Sequence, residues 1–233
     1  MRAKVITLSA DKESFAGADR LIDSSNHYKN NFVIDKYKAS VPESIIDEFQ
    51  EMRIKWNYPW TQEVLDMQSG LMKRPYETRD PLRRMACFMS HYRLWTHCHE
   101  EQEDYLIFEH DAIFQRHFDY EEVRKSRFNI VSINDPRGAT RMSRVYHESL
   151  QVLTVPVGPA PYVDMNMQTP QGLPGNSAYW IDPVGAKKML DLVNEYGAWP
   201  NDALMCNQLM PQMLGCVKNY ATHLQPMSST TTK

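Results

Sequence analysis

Two carboxylates placed two residues apart are the side chains of this sequence best suited to chemistry. Glu109 and Asp111 follow the apolar run 105–108 (YLIF), and His110 lies between them. In an extended chain, residues i and i+2 point to the same side, so both carboxylates could act on one ligand. Hard oxygen ligands at the carboxyl end of a strand suit Mg²⁺ or Mn²⁺ held against a diphosphate. The alternative is an acidic turn that binds nothing.

The composition excludes some classes of protein and leaves others open. The 233 residues are 42% hydrophobic and 24% charged, which is typical of a soluble globular protein. The net charge of −3 gives no general basic field for nucleic acid or an anionic membrane. No apolar run approaches the ~18 residues of a membrane span, so no integral membrane association is expected. The four cysteines lack C-x-x-C and zinc-finger spacing, which favours free thiols in a cytoplasmic protein.

The hydrophobic pattern predicts strands that alternate with helices. Strands are predicted at residues 4–8, 31–35, 105–108, 128–133, 152–155 and 177–181. Helices are predicted over 42–56, 83–101 and 183–196, with another opening at 200–202. Residues 156–175 hold five prolines and three glycines, which predicts a long surface loop. This order indicates an α/β fold with a mixed, mostly parallel sheet flanked by helices.

Candidate ligand contacts follow from the ends of the predicted strands. In open α/β sheets, ligands bind beyond the carboxyl ends of the strands. Thr7, Leu8 and Ser9 end the first strand, so they are candidates to contact the base or ribose of a nucleotide. The sequence contains no G-x-G-x-x-G, P-loop, H-E-x-x-H or G-x-S-x-G motif. These absences leave metal-assisted chemistry on a phosphate ester or a sugar nucleotide.

Four segments in order resemble glycosyltransferase family 25, the lipooligosaccharide and collagen galactosyltransferase relatives. They are residues 87–95 (CFMSHYRLW), 106–114 (LIFEHDAIF), 175–181 (GNSAYWI) and 185–190 (GAKKML). The resemblance implies a GT-A-like single domain over residues 1–226, followed by a flexible tail at 227–233. It also implies a nucleotide-sugar donor (a UDP-sugar foremost), Mn²⁺ or Mg²⁺ as cofactor, and inversion at the anomeric carbon. His110 replaces the family's middle aspartate. Strand alternation would turn it away from the ligand, so metal binding should survive.

The resemblance also implies roles for individual residues. The expected metal ligands are Asp111, Glu109 and His223, and Asp202 is the expected catalytic base. The expected donor-binding residues are Thr7, Leu8, Ser9, Ser90, His91 and Arg84, and the expected acceptor-binding residues are Asn176 and Tyr179. Structural alternatives exist, because an acid in a first helical turn stabilises the helix dipole. A histidine on an apolar helix face is also often a hydrogen-bonded core residue.

The resulting hypothesis is a metal-dependent inverting glycosyltransferase that moves a sugar from a nucleoside-diphosphate donor to an acceptor hydroxyl. The alternatives are a catalytically inactive sugar-nucleotide-binding module and a metal-dependent phosphoester hydrolase. The acceptor stays open between a saccharide, a protein hydroxyl and a modified nucleic-acid base, because acceptor choice depends on loops. The loop 156–175 and the aromatic residues Trp56, Tyr58 and Trp60 are its expected determinants.

Overall fold

A seven-stranded sheet forms the centre of the protein in the computed structural model, which describes residues 1–138, 142–173 and 175–225. The strands are β1 (Arg2–Thr7), β2 (Ile34–Lys38), β3 (Val64–Asp66), β4 (Leu71–Lys73), β5 (Tyr105–Glu109), β6 (Ala112–Phe114), β7 (Ile130–Ser132), β8 (Val157–Pro159), β9 (Ala178–Ile181), β10 (Leu214–Val217) and β11 (Thr222–Leu224). The helices are α1 (Lys12–His27), α2 (Ile45–Glu51), α3 (Pro81–Glu101), α4 (Tyr120–Arg124), α5 (Ser143–Gln151), α6 (Pro183–Tyr196) and α7 (Asn201–Leu204).

The directions of the strands bring the ends of several strands to one edge of the sheet. The strand order is β2-β1-β5-β9-β7-β10-β8. Strands β2, β1, β5, β7 and β10 run one way, whereas β9 and β8 run the opposite way. The carboxyl ends of β1, β2 and β5 therefore meet the start of β9 at this edge. The predicted mixed, mostly parallel sheet is confirmed.

Helix α6 begins where the sequence predicts, whereas α3 begins at Pro81, two residues before the predicted start, and both helices carry a side-chain cap. The Asp80 carboxylate accepts hydrogen bonds from the first amides of α3, and Pro81 occupies the first turn. Asp182 caps α6 in the same way and accepts from the Gly185 amide at 2.7 Å. Helix α3 packs against α2 and α6, while α1 packs against β1 and β6. The helices thus flank the sheet and hold α3 beside its ligand-binding edge.

The core is rich in aromatic side chains contributed by the sheet and by α3. Every residue of the predicted apolar strand 105–108 is buried, as expected for a strand covered on both faces. The largest fully buried side chains include Trp95, Trp199, Tyr105, Tyr179, Phe88 and Phe108. This rigid centre supports the acidic pair that follows β5.

Helix α1 was not predicted. Its buried positions are Ser14, Gly17, Ala18, Leu21 and Ser25. Small and polar residues on the buried face produce little apolar periodicity, so the sequence carries only a weak helical signal there.

The predicted strand at residues 152–155 is wrong. Helix α5 ends at Gln151, and Val152 and Val155 are 78% and 48% exposed. The loop predicted over 156–175 contains β8, which pairs with β10 at the edge of the main sheet. The valine-rich segment was therefore placed in the wrong element, because β-propensity alone does not show which valines are buried.

Two further predicted elements have bounds that differ from the structure by three residues or more. The helix predicted over 42–56 covers only Ile45–Glu51, and the chain has left the helix by Arg53, whose φ is 55°. The strand predicted at 31–35 lies at Ile34–Lys38. The flexible tail predicted at 227–233 lies outside the described residues. Among the helices that are described, none combines the length and apolarity needed to cross a membrane.

Candidate functional site

A cavity of about 660 Å³ opens at the edge of the sheet where the strand ends meet. Its walls are the segments that follow β1, β2 and β5, the segment before β9, part of α3 and the first turn of α7. This volume lies within the range of small-molecule sites, which is about 300–1,000 Å³. The location agrees with the rule that ligands of open α/β sheets bind beyond the strand ends.

Both predicted carboxylates line this cavity. Glu109 is the last residue of β5, and Asp111 lies in the turn that follows. Burial by itself raises the pKa of Glu109, but a hydrogen bond from His91 and the nearby Arg84 charge hold it below its usual value. Burial and the neighbouring Glu109 charge raise the pKa of Asp111 to about 7. The two carboxylates are therefore close enough to interact. Ionisation of Asp111 beside the charged Glu109 is energetically unfavourable.

His110 does not face away from the cavity, so that expectation is wrong. Strand β5 ends at Glu109, and the next two residues form a turn in which strand alternation no longer applies. His110 lines the same cavity as the two carboxylates. Burial lowers the pKa of its imidazole, although the charges of Glu109 and Asp11 oppose that shift.

Arg84 supplies a buried positive charge to the cavity. The residue is 7% exposed, and its Nε has no hydrogen-bond partner among the described residues. Its guanidinium lies over the ring of Tyr76, with Cζ 3.9 Å from the ring centroid. An unpaired guanidinium N–H in a cavity is suited to bind a phosphate or carboxylate. The neighbouring Arg83 is more exposed and is already paired with Asp80 at 3.1 Å.

A buried hydrogen-bonded chain leads from the core to Glu109. The Trp95 indole Nε1 donates to the Tyr179 hydroxyl at 2.8 Å, and that hydroxyl lies 2.8 Å from His91 Nδ1. His91 Nε2 lies 3.2 Å from Glu109 Oε1, and Cys87 Sγ lies 3.8 Å from the same oxygen. The ligand atoms of Cys87, His91 and Glu109 lie within 4.8 Å of one another, so this trio could also hold a metal.

The predicted donor-binding residues after β1 separate into two groups. Leu8 and Ser9 line the cavity. Thr7 does not, because its side chain is buried and its hydroxyl donates to the Tyr37 carbonyl at 3.2 Å. Ile6 lines the cavity, and the next residue of β1 points to the opposite side of the strand, which excludes Thr7.

Ser90 lines the cavity, but its hydroxyl is occupied by the backbone. It donates to the Ala86 carbonyl at 2.8 Å and accepts from the Ser40 amide at 3.0 Å. Ser90 therefore joins α3 to the segment that follows β2. This segment, residues 39–43, forms another wall of the cavity. This wall was not predicted from the sequence, although the rule of strand ends applies to β2 as it does to β1. Tyr76 and Cys87 were missed as well.

Asp202 and Asn176 lie on the cavity wall formed by α7 and the segment before β9. Asp202 is exposed in the first turn of α7. With the Asn176 amide oriented so that donors meet acceptors, its oxygen accepts from the Asp202 backbone amide at 3.2 Å and from Asn201 Nδ2 at 3.3 Å. Asn176 therefore fixes the start of α7, and through it the position of the Asp202 carboxylate.

Several residues that were predicted to bind a ligand do not line this cavity. His223 is on β11 opposite Ile113 and lines a separate cavity, so the structure does not bring it to the acidic pair. Tyr179 is fully buried, which leaves no surface for an acceptor. Trp56 and Trp60 stack on each other at 4.9 Å, and neither they nor Tyr58 line the cavity. Within the predicted loop 156–175, Gly175 is the described residue that lines it.

Several solved structures have a related shape. The galactosyltransferase LgtC, solved in complex with donor and acceptor sugar analogs, has a TM-score of 0.48 and 8% identity over 97% of this chain and 87% of its own. The glycosyltransferase GlyE of Streptococcus pneumoniae TIGR4 has a TM-score of 0.40 and 11% identity, over 93% and 44%. Mouse xyloside xylosyltransferase 1 has a TM-score of 0.40 and 11% identity, over 91% and 80%. No curated protein matches the sequence significantly.

A family model provides the comparison that assigns the chain. The model of glycosyltransferase family 25 (LPS biosynthesis protein) matches residues 66–205. The matched segment contains α3, β5, β9 and α7, which together carry the acidic pair, Arg84 and Asp202. The chain is therefore a glycosyltransferase and belongs to glycosyltransferase family 25.

Proposed function

We propose that this glycosyltransferase moves a sugar from a nucleoside-diphosphate donor to an acceptor hydroxyl, with inversion and with the help of a divalent cation. The observation that carries the proposal is the meeting of Glu109, Asp111, Arg84 and Asp202 on the walls of one cavity. These side chains supply cation ligands, an anion-binding group and a proton acceptor, which are the groups that such a transfer requires.

The acidic pair has the properties expected of a cation site. Asp111 Oδ1 is buried and has no hydrogen-bond partner among the described residues. Burial and the Glu109 charge raise the pKa of Asp111, because a second negative charge beside Glu109 is unfavourable without a counter-charge. Two carboxylate oxygens are ligands that Mn²⁺ and Mg²⁺ accept. Glu109 and Asp111 would therefore hold the cation, which would offset the charge of the leaving diphosphate.

The remaining donor contacts follow from the cavity walls. The Arg84 guanidinium would bind a phosphate oxygen, because its Nε is buried and unpaired. Leu8 and Ser9, at the end of β1, would contact the base or ribose of the nucleotide. Among nucleotide sugars, we propose a UDP-sugar as the donor. Saccharides, protein hydroxyls and modified bases all present the hydroxyl that an acceptor needs.

Asp202 is the proposed catalytic base. Asp202 is exposed and lines the cavity, so its carboxylate is free to accept a proton while the acidic pair holds the cation. It would accept the proton of the acceptor hydroxyl as the new C–O bond forms, while the bonding electrons of the broken C–O bond leave with the nucleoside diphosphate. A single displacement of this kind inverts the anomeric carbon.

We propose a cytoplasmic location, which is supported by four cysteines that are all free thiols. Disulfides are rare in reducing compartments, so unpaired cysteines are the usual state there.

The test is a screen of UDP-, GDP- and CDP-sugars by thermal shift, with and without Mn²⁺, followed by transfer assays and NMR of the product's anomeric proton. We expect metal-dependent binding of one donor and an inverted product. Asp111→Ala should lower transfer by about 10²-fold or more, because removal of one group that stabilises transition-state charge has this effect. The control is Asp191→Ala, which removes an exposed carboxylate of α6 that pairs with Lys187.

Normal turnover by Asp111→Ala would contradict the proposed mechanism. Donor binding without transfer to any acceptor would instead support an inactive binding module. Fast release of nucleotide without an acceptor would support a hydrolase.

A further inference from the structure

The Glu109 carboxylate is held by one of its two oxygens. Cys87 Sγ and His91 Nε2 both contact Oε1. No hydrogen bond among the described residues engages Oε2. Because hydrogen bonds to one oxygen fix the orientation of a planar carboxylate, the other oxygen is left for a ligand in the cavity.

The direction of the hydrogen bonds in the chain follows from its first member. An indole N–H can only donate, so the Tyr179 oxygen accepts from Trp95. The Tyr179 hydroxyl hydrogen then needs an acceptor. Among the described residues, His91 Nδ1 is the remaining partner of this hydroxyl. An imidazole nitrogen that accepts carries no proton, so the proton of neutral His91 lies on Nε2. His91 therefore donates to Glu109.

We propose that Trp95, Tyr179 and His91 are a positioning chain that holds the His91 ring with its Nε2 proton towards Glu109 and so presents Glu109 Oε2 to the cation. The role of Oε2 rests on the proposed function, whereas the tautomer does not. All three side chains are buried, with exposures of 0%. Buried polar chains of this kind hold one geometry when every member is satisfied. Outer groups that orient metal ligands typically change metal affinity or activity by 10–100-fold when they are removed.

The direction of these hydrogen bonds argues against a metal held by Cys87, His91 and Glu109. A metal on His91 Nε2 would move the imidazole proton to Nδ1, next to the Tyr179 hydroxyl. That hydroxyl already accepts from Trp95. Its own hydrogen would then lose its acceptor, and an unsatisfied buried donor is unfavourable.

The experiment replaces the hydroxyl of the chain and measures two properties. In Tyr179→Phe, Nδ1 loses its hydrogen-bond donor while Glu109 still accepts from Nε2. We therefore expect ¹⁵N NMR of labelled histidine at fixed pH to show a changed Nδ1 signal and a proton that stays on Nε2. We also expect Mn²⁺ affinity, followed by electron paramagnetic resonance of free Mn²⁺, to fall by about 10–100-fold. His91→Gln retains an amide donor for Glu109, so it should recover most of the affinity that His91→Leu loses.

Tyr105→Phe is the matched control. It removes a hydroxyl from an equally buried tyrosine at the far end of β5, where the hydroxyl donates to Glu101 at 2.8 Å. A purely structural role for Tyr179 would lower thermal stability in both variants and leave the Mn²⁺ affinity of both unchanged. That result would overturn the inference, as would a wild-type His91 with its proton on Nδ1.

The outcomes separate the two proposals. A wild-type protein that binds no Mn²⁺ at all would overturn the proposed function and the role of Oε2. The NMR signals would still decide whether Tyr179 donates to His91 Nδ1 and whether the His91 proton lies on Nε2.

Discussion

At the scale of single residues, the negative charge of Asp111 is unfavourable in the metal-free protein. Burial and the negative charge of Glu109 raise its pKa from 3.8 to about 7. Its Oδ1 has no partner among the described residues. When ionised, such a carboxylate lowers the free energy of unfolding of the metal-free protein, and a bound cation stabilises its charge. The group that destabilises the metal-free protein is therefore the group proposed to bind the cation.

The raised pKa predicts how the stability of the metal-free protein changes with pH. The folded state holds the Asp111 proton up to about pH 7, whereas the unfolded state loses it near 3.8. The free energy of unfolding should therefore fall as pH rises through this interval, and the loss should be complete above it. Asp111→Asn should remove this dependence and stabilise the metal-free protein near pH 8 by on the order of 1–3 kcal/mol.

Urea unfolding in a chelator, near pH 5 and near pH 8, measures this difference. Saturating Mn²⁺ should restore the stability of the wild type but not change the variant. An identical pH slope in both proteins would show that Asp111 is not the group responsible.

At the scale of elements, the position of α7 depends on a close approach between two backbones. Gly172 pairs with Cys206 in an isolated bridge, and its carbonyl accepts from the Tyr146 hydroxyl at 2.7 Å. A Cβ added to Gly172 would overlap the carbonyl oxygen of Met205. The segment directly after α7 is therefore packed against a glycine that has no room for a side chain.

Gly172→Ala should displace the end of α7 and, with it, Asp202. We expect a loss of about 1–3 kcal/mol in the free energy of unfolding, since overpacking has this cost. Transfer activity should fall while metal binding at the acidic pair is kept. The control is Gly158→Ala, where the atoms nearest to the new methyl group belong to the side chain of Leu153. Equal stability and activity of both variants would refute the proposed link between Gly172 and α7.

At the scale of the whole molecule, the buried Lys73 links the small β3–β4 sheet to the main body. Lys73 Nζ lies 3.2 Å from Asp66 Oδ2, donates to the Asn57 carbonyl at 2.7 Å and lies 4.3 Å from the ring centroid of Trp199. The side chains of Lys73 and Asp66 are 3% and 11% exposed. One ammonium group thus connects the β3–β4 sheet, the aromatic residues and the core.

Lys73→Met should destabilise the protein by about 3 kcal/mol, because it leaves the Asp66 charge buried without its partner. The double variant Lys73→Met, Asp66→Leu should recover most of that loss, since no buried charge remains. Chemical denaturation of both variants measures the difference. A double variant no more stable than the single one would show that the aromatic and backbone contacts of Lys73 matter more than its charge.

The sequence by itself determined the family, the main elements and the position of the acidic pair. Helix α3 could be predicted from its helical apolar period, and α6 from the cap Asp182 followed by Pro183. The strand before Glu109 could be predicted because a buried strand is a short, continuous apolar run. These signals are local, so they need no knowledge of the rest of the chain.

Only the tertiary structure decided which polar side chains face the cavity. Thr7 and Tyr179 were expected to contact a ligand but are buried, whereas Arg84 lines the cavity as expected. His223 carries a ligand atom of the right type but lies in another cavity. The direction of a side chain depends on strand register, on where a strand ends and on what packs against it. Those contacts join residues far apart in the sequence, so no local pattern contains them.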